Sequence, residues 1–350
     1  MPTIDQTLAQ YSELFILLGA MAFTVAFIAF CWDLAKSSKT IKAVEDRLAA
    51  EYATADSAVL VGAAGATSGS ASVSSTGGNG GRARAVEMAS DSMNYGKERR
   101  AAARVGVALT VLATLILAAG VVARGMAAHR VPWGNMYEFC TTGALMVAVV
   151  YLIALTRKDL RFLGSFVIGL VVIMLIAATI GFPTPVAHLI PALQSYWIII
   201  HVSVAVLASA LFTLTFAMSV LQLIQANREA RGRAGKTDKL GFMRLVPSAL
   251  TLENAAYRIN AVAFVLWTFT LVLGAIWAEE AWGRYWGWDT KEVWTFVIWV
   301  VYAGYLHARA TRGWTGTRAA WLSIVGYLCV VFNFTIVNVF FAGLHSYAGV

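Results

Sequence analysis

The sequence predicts an all-α integral membrane protein with about eight transmembrane helices and a tryptophan-rich extracytoplasmic loop. Hydrophobic residues make up 59% of its 350 positions and charged residues only 13%, whereas soluble domains have about half apolar and a quarter charged residues. Apolar segments close to the roughly 20 residues that a helix needs to cross a bilayer recur along the chain. Basic residues fall almost entirely into alternate loops, as expected of a multi-pass protein.

Eight apolar segments are candidate membrane helices. They lie at about 12–32, 104–123, 138–156, 162–181, 196–224, 259–280, 291–310 and 319–341. The third and fourth are the closest together, because only the sequence RKDLR separates them. No basic residue precedes Tyr11, unlike the start of a cleaved signal peptide, so we expect the first helix to be retained.

The basic residues predict the orientation of the chain. Of 27 lysines and arginines, 23 lie in the loops 34–104, 157–161, 225–258 and 309–318. Because basic residues collect in cytoplasmic loops, these four loops are predicted to be cytoplasmic. Both termini and the loop after the sixth helix are then extracytoplasmic, and we expect a location in the plasma membrane. This placement accounts for the net charge of +8, so no nucleic-acid partner is expected.

Three regions are predicted from these boundaries. Residues 1–33 hold the N-terminal transmembrane helix, 34–103 form a cytoplasmic insert, and 104–350 form a seven-helix domain. The middle of the insert, from Ala63 to Gly81, consists mostly of Gly, Ala, Ser and Thr and carries no charge. Such a composition has too little apolar bulk to offset the entropy of ordering the chain, so we expect the insert to be largely disordered.

The cysteines argue against thiol-disulfide catalysis within this chain. Cys31, Cys140 and Cys329 stand singly in or beside membrane segments, and no CxxC pair occurs. The sequence also lacks CxxCH, so covalently attached haem is not expected. We predict that all three cysteines pack in the core.

The histidines separate by depth when the predicted orientation is applied. His201 lies near the extracytoplasmic start of the fifth helix, and His345 follows the eighth helix on the same side. His307 is 16 residues beyond Lys291 in the seventh helix, which places it about 24 Å deeper and near the inner leaflet. His129 and His188 lie in outer loops and are interpreted as ordinary loop residues.

A dense cluster of tryptophans and glycines lies between the sixth and seventh helices. Its members are Trp282, Gly283, Trp286, Gly287, Trp288 and Asp289. Tryptophans at a membrane surface usually form an aromatic belt, and we keep that interpretation for Trp197, Trp267 and Trp321. The density of this cluster and its two glycines indicate instead a platform for a flat ligand. Asp289 with Glu292 also fits a capping box that starts the seventh helix.

Haem is the ligand that these residues predict. A porphyrin packs its faces on aromatic rings, and its iron takes axial imidazole ligands. His201 and His345 lie at the level of the tryptophan cluster and are candidate axial ligands. Helices 5 and 8 must then approach each other around this loop.

Several motifs resemble the CcsA (ResC) branch of the WWD haem-handling proteins, which mature c-type cytochromes. The segment 282–289 matches the signature WGxxWxWD. Further motifs of that branch occur in its order: VPWGNMYEF at 131–139, PALQSYWIIIHV at 191–202, YLHAR at 305–309 and GLHSYA at 343–348. The resemblance covers nearly all of the chain from Arg124 onward. Thr290 stands where a proline is common, and the insert after the first helix is not part of the pattern.

The resemblance implies roles for individual residues. His201 and His345 match the histidines that ligate haem on the outer side, and His307 matches the histidine of a membrane-embedded haem site. The cofactor implied is non-covalent haem b in transit. A ResB (Ccs1)-type membrane protein would supply the second ligand beside His307, apocytochrome c would receive the haem, and a thioredoxin-like protein would indirectly reduce the thiols. No side chain is expected to act as a catalytic nucleophile, and positioning is the implied contribution.

Two other functions stay open at this point. The chain could export haem without attaching it, or it could be a membrane electron-transfer cytochrome that retains haem between two histidines. Paired histidines at both depths are typical of such cytochromes, and here His307 has no second histidine at its depth.

Overall fold

A computed structural model describes residues 3–64, 100–234, 240–311 and 313–345. Within these ranges the chain is helical and contains no strand. The α-helices are α1 Gln6–Ala64, α2 Ala101–Ala128, α3 Met136–Arg157, α4 Gly164–Ile176, α5 Tyr196–Arg233, α6 Ala249–Trp282, α7 Thr290–Ala310, α8 Thr317–Phe334 and α9 Ile336–Phe340. Short 3₁₀ turns occur at Arg161–Leu163, Pro191–Leu193 and Gly241–Leu245, and a π turn at Ala177–Gly181 extends α4.

Seven helices of the described chain are long and apolar enough to cross a membrane. They are Gln6–Lys36, Ala101–Ala128, Met136–Arg157, Arg161–Gly181, Tyr196–Arg233, Ala249–Trp282 and Thr317–Phe340. Apolar side chains on their outer faces are exposed, such as Met21, Val25 and Ile28 on α1. This spacing forms one stripe along α1 that suits contact with lipid. The protein is therefore an all-α, multi-pass membrane protein.

The eighth predicted segment is α7, which is 21 residues long and therefore about 30 Å. It is not among the seven apolar spans, because its tryptophans, tyrosines and His307 make it more polar. Its neighbours show that it nevertheless runs the length of the bundle. Lys291 at its start contacts the end of α8, and Arg309 at its end pairs with Glu253 near the start of α6.

The first helix is longer than the sequence predicted. We expected it to end near residue 32, but α1 continues to Ala64, so the first half of the predicted insert is helical. Only the part up to Lys36 counts as a candidate membrane span. The apolar pattern marks where the helix leaves the bilayer rather than where the helix ends. The expected disorder falls mainly on 65–99, outside the described residues.

Helix α5 joins two groups of packed helices. On one side, Leu214 and Leu221 pack into the apolar core formed with α1 to α4. On the other, Ala208 and Phe212 pack into the core formed with α6, α7 and α8. The ring of Phe212 stacks on that of Tyr302 with centroids 3.8 Å apart. The middle of α5 is thereby held between both groups.

Capping side chains fix where four of the helices begin. Asn135, Ser195 and Ser248 each accept a hydrogen bond from a backbone amide in the first turn of α3, α5 and α6. Asp289 does the same for α7 and forms the predicted capping box with Glu292. Such caps satisfy backbone amides that have no partner within the helix.

A buried carboxylate fixes the loops at the end of the bundle where the tryptophan cluster lies, which we call the Trp-loop end. Glu138 is fully buried and accepts hydrogen bonds from Arg124 at 2.9 Å and from Arg130 at 2.7 and 2.9 Å. Arg130 also donates to the carbonyl oxygen of Ala187. These contacts join α2, α3 and the segment that precedes α5.

Candidate functional site

A cavity opens at the Trp-loop end and brings together residues that are distant in sequence. Its walls come from α3, α5, α6, α7, α8 and α9, together with the segments before α3 and α5, the loop between α6 and α7, and the segment after α9. Both His201 and His345 line it. The cavity volume is about 140 Å³. The structure therefore brings the two histidines that were predicted as axial ligands to one cavity.

His201 is held on α5 by a contact to α6. Its Nδ1 lies 3.0 Å from the carbonyl oxygen of Thr270. Because a carbonyl can only accept, Nδ1 carries the proton and Nε2 is left as the basic nitrogen. Gly274 makes room for the ring, since a Cβ there would lie 2.7 Å from His201 Cε1. A fixed ring with an occupied Nδ1 is the arrangement found in metal-binding histidines.

His345 is oriented by Asp289 in the same manner. Its Nδ1 lies 3.0 Å from Asp289 Oδ2, which leaves Nε2 free. This hydrogen bond lowers the pKa of the Asp289 carboxyl to about 2, so that group is charged at neutral pH. A carboxylate on the far nitrogen fixes the tautomer of a ligand histidine and raises its basicity. Asp289 therefore has two roles, because it also caps α7.

Trp277 contacts both histidines and was not singled out from the sequence. Its ring lies parallel to that of His201, with centroids 6.0 Å apart. It meets the ring of His345 edge-on at 5.5 Å. Trp277 is buried, and its Nε1 donates to the carbonyl oxygen of Ala192. The sequence offers only a weak indication that Trp277 belongs to the site, namely its position five residues before Trp282 in the same helix.

The tryptophans of the predicted platform take three different positions. Trp282 is the last residue of α6, and its ring lies 4.8 Å from that of His345. Trp286 lines the cavity. Trp288 lies outside the cavity lining, is 77% exposed and packs edge-on against Trp286. One of the three indoles therefore lines the cavity, the second packs against His345, and the third is at the surface.

The two glycines of the cluster allow the turn between α6 and α7. Gly283 has a φ of 70° and ends α6 in the left-handed conformation that favours glycine. Gly287 lies against the guanidinium group of Arg284, and a Cβ there would collide with it. The amide of Gly287 donates to Glu292. Their contribution is to let the chain turn between α6 and α7.

Three polar atoms in the cavity wall lack a hydrogen-bond partner among the described residues. They are Trp133 Nε1, Glu292 Oε1 and Asn333 Oδ1. A buried polar group without a partner costs about 1–3 kcal/mol. Only Trp133 Nε1 is a donor, so a carboxylate of a bound molecule could accept from it, whereas the two oxygens need donors. The apolar wall, the two imidazoles and this one donor fit haem, which has a flat apolar ring, an iron that accepts imidazole and two carboxylates.

The cavity lies within the part of the chain that matches known proteins. Residues 133–345 match the family described as Cytochrome C assembly protein. The chain belongs to this family. It is 33% identical over 263 residues to the cytochrome c biogenesis protein CcsA of Guillardia theta, covering 69% of this chain and 85% of the relative. The CcsA protein of Synechococcus elongatus is 32% identical over 282 residues, covering 69% and 87%. That of Microcystis aeruginosa is 34% identical over 278 residues, covering 67% and 85%.

The segment that matches the cytochrome c assembly family also contains His307, which lies apart from the cavity. His307 is exposed near the end of α7, and the described residues offer its imidazole no hydrogen-bond partner. About 24 Å of helix separates it from Lys291, which lines the cavity. His129 and His188 are exposed. His129 ends α2 with a φ of 51°.

Two predictions made from the sequence of this chain are wrong. Trp267 is not part of an exposed belt, because it is buried, lines the cavity and donates from Nε1 to the carbonyl oxygen of Thr295. Cys31 does not pack in the core but is exposed on α1, whereas Cys140 is buried. Both errors arise because an apolar pattern in a membrane helix does not show which face meets lipid.

Proposed function

We propose that this chain acts in the biogenesis of c-type cytochromes by holding haem b at the Trp-loop end and presenting it to apocytochrome c. One observation carries the proposal. Two histidines line one cavity, and each has its Nδ1 engaged by a fixed acceptor, so that both Nε2 atoms are available as axial ligands. The names of the relatives, cytochrome c biogenesis protein CcsA, favour this role over an unrelated haem function.

The contribution of the chain is to position haem. His201 and His345 would bind the iron, while Trp277, Trp282 and Trp286 would pack on the ring and exclude water. Each thiol of a CxxCH segment adds across one vinyl group, with sulfur bonding to one carbon and the hydrogen transferred to the other. This addition changes no net oxidation state and needs no nucleophile from the chain. Preorganised geometry is then the source of acceleration.

Reduced thiols must be supplied from outside this chain. Its three cysteines are free thiols, and they lie on α1, α3 and α8, far apart in the sequence. We therefore propose that a thioredoxin-like protein keeps the apocytochrome cysteines reduced. Imidazole ligation at the cavity would protect the iron until the histidine of CxxCH replaces one ligand.

The exposed His307 supports a second site shared with another membrane protein. We propose that haem enters from the cytoplasmic side, binds first at His307 with a ligand from a ResB (Ccs1)-type partner, and then moves outward. In this scheme the chain lies in the plasma membrane, with both termini and the loop 283–289 outside. The surface of α7 around His307 is then the contact with the partner.

The experiment that tests the proposal supplies a reduced CxxCH peptide to the detergent-purified chain copurified with its ResB-type partner and haem. We expect covalent haem on the peptide, detected by mass and by the absorption bands of a c-type haem. A peptide with alanines in place of both cysteines is the matched control. Haem that is bound but never transferred would support the exporter or the electron-transfer cytochrome, and the synthase role would be abandoned.

A further inference from the structure

Lys291 is a cation in the cavity wall without a carboxylate partner. Its Nζ donates to the carbonyl oxygen of Asn333 at 3.3 Å and to Asn338 Oδ1. It also lies over the ring of Phe334, 5.0 Å from the centroid. Among the described residues it forms no ion pair. Its hydrogen-bond acceptors are thus neutral, although it lines a largely apolar cavity.

A charged ammonium group in such a place is costly unless a negative group meets it. Glu292 and Asp289 are the nearest acidic residues in sequence. The Asp289 carboxylate is engaged by His345 and by the amide of Lys291 itself, and Glu292 Oε2 accepts from the amides of Gly287 and Asp289. Neither carboxylate forms an ion pair with Lys291 Nζ among the described residues, so the ammonium can bind a negative group that enters the cavity.

A second donor lies on the same wall. Trp133 Nε1 is buried, lines the cavity and has no acceptor among the described residues. Asn338 links Lys291 to the start of α3. Its Oδ1 accepts a hydrogen bond from Lys291, and its amide nitrogen donates to Met136 Sδ at 3.2 Å. Met136 is three residues from Trp133. An ammonium and an indole N–H together suit an acceptor with two oxygens.

We propose that Lys291 and Trp133 bind a carboxylate of the molecule held in the cavity. This proposal rests on the proposed function, under which the ligand is haem and the carboxylate is a propionate. The two residues thus distinguish haem from an uncharged porphyrin of the same shape. Lys291 and Trp133 recognise the carboxylate, whereas His201 and His345 would bind the iron.

The test compares two ligands on the detergent-purified full chain: iron protoporphyrin and its dimethyl ester, which lacks free carboxylates. Dissociation constants are obtained from the change in the haem absorption band on titration. We expect the wild type to bind the acid about 10- to 100-fold more tightly than the ester, the range for a charge-assisted hydrogen bond. Lys291→Met should abolish most of this preference while the affinity for the ester stays the same.

Further variants test whether the preference for the acid depends on these two donors. Trp133→Phe should reduce the preference less than Lys291→Met, and Lys291→Arg should retain it. Lys158→Met and Trp321→Phe are matched controls, because both side chains are exposed away from the cavity; they should leave the preference unchanged. If Lys291→Met fails to fold, the Trp133→Phe and Lys291→Arg results decide alone.

The outcomes separate this inference from the proposed function. A wild type that binds acid and ester equally overturns the inference alone, because haem is still held. The same conclusion follows if Lys291→Met weakens both ligands equally or leaves the preference intact. Failure of the wild type to bind either porphyrin overturns the proposed function and this inference with it.

Discussion

The two ends of the bundle treat histidine differently. At the Trp-loop end, His201 and His345 line a cavity, and each ring is fixed through Nδ1, by Thr270 and by Asp289. At the other end, His307 is exposed and has no such partner among the described residues. A site that is complete within one chain supplies its own orienting groups. On the proposed function, this chain alone assembles the site at the Trp-loop end, whereas His307 would bind haem on a surface shared with another protein.

Removing an outer ligand has the largest expected effect. His201→Ala and His345→Ala should each abolish the low-spin, bis-imidazole absorption spectrum of the haem-loaded chain, because one axial position loses its nitrogen. The measurement is the visible spectrum of detergent-purified protein at equal haem loading. His129→Ala is the matched control, since this histidine is exposed and away from both rings. Unchanged spectra in both cavity variants would remove the basis for the outer site.

Loss of the buried carboxylate comes next in size. Glu138→Gln should lower the free energy of unfolding by about 3–5 kcal/mol, because it leaves the buried Arg124 and the partly buried Arg130 without a negative partner. The midpoint of thermal unfolding in detergent reports the change. Glu279→Gln, an exposed glutamate on α6, should be neutral. A midpoint that falls equally in both variants would show that the buried network does not fix the Trp-loop end.

The third effect concerns the orientation of His345. Asp289→Asn keeps a capping residue at the start of α7 but removes the charge beside the imidazole. Haem affinity should fall about tenfold, the lower bound for loss of an orienting partner. Asp5→Asn is a close control, because the Asp5 side chain also accepts amide hydrogen bonds at a helix start and forms no hydrogen bond to a histidine in the described chain. Equal affinities for the two variants would mean that Asp289 serves only as a cap.

The smallest effect on the isolated chain is expected from a substitution of His307, at the opposite end of the bundle. His307→Ala should leave the spectrum of the isolated chain within error of the wild type, because His307 is far from the cavity. When the ResB-type partner is copurified, the same variant should lose about half of the bound haem, the part held at the inner site. A loss that is already complete in the isolated chain would contradict the need for a partner.

Local signals in the sequence predicted local features correctly. Each of the seven predicted segments after the first overlaps a helix among α2 to α9, and all of these segments except the one in α7 follow from apolar length alone. The capping box of Asp289 and Glu292 was also predicted, because its two members are three residues apart. The end of α1 was missed, since a helix can continue into water beyond its apolar part.

Contacts between distant segments could not be predicted in the same way. The hydrogen bond from His345 to Asp289 joins residues 56 positions apart, and that between His201 and Thr270 joins residues 69 apart. No periodic pattern encodes which backbone carbonyl meets a given ring. The space that Gly274 leaves for His201 and the position of Trp277 likewise follow from how α5 packs on α6. The resemblance predicts which histidines are candidate ligands, and the packing of the helices shows which groups orient them.

The order of the two ligands along the chain has a consequence for biosynthesis. His201 enters the membrane with α5, but His345 reaches its place only after α6, α7, α8 and α9 have followed. Translation at about 5–20 residues per second makes this an interval of many seconds. During it, a nascent chain has one imidazole at the cavity and no second ligand for the iron. On the proposed function, haem capture therefore waits for complete membrane insertion, so incompletely inserted chains do not sequester haem.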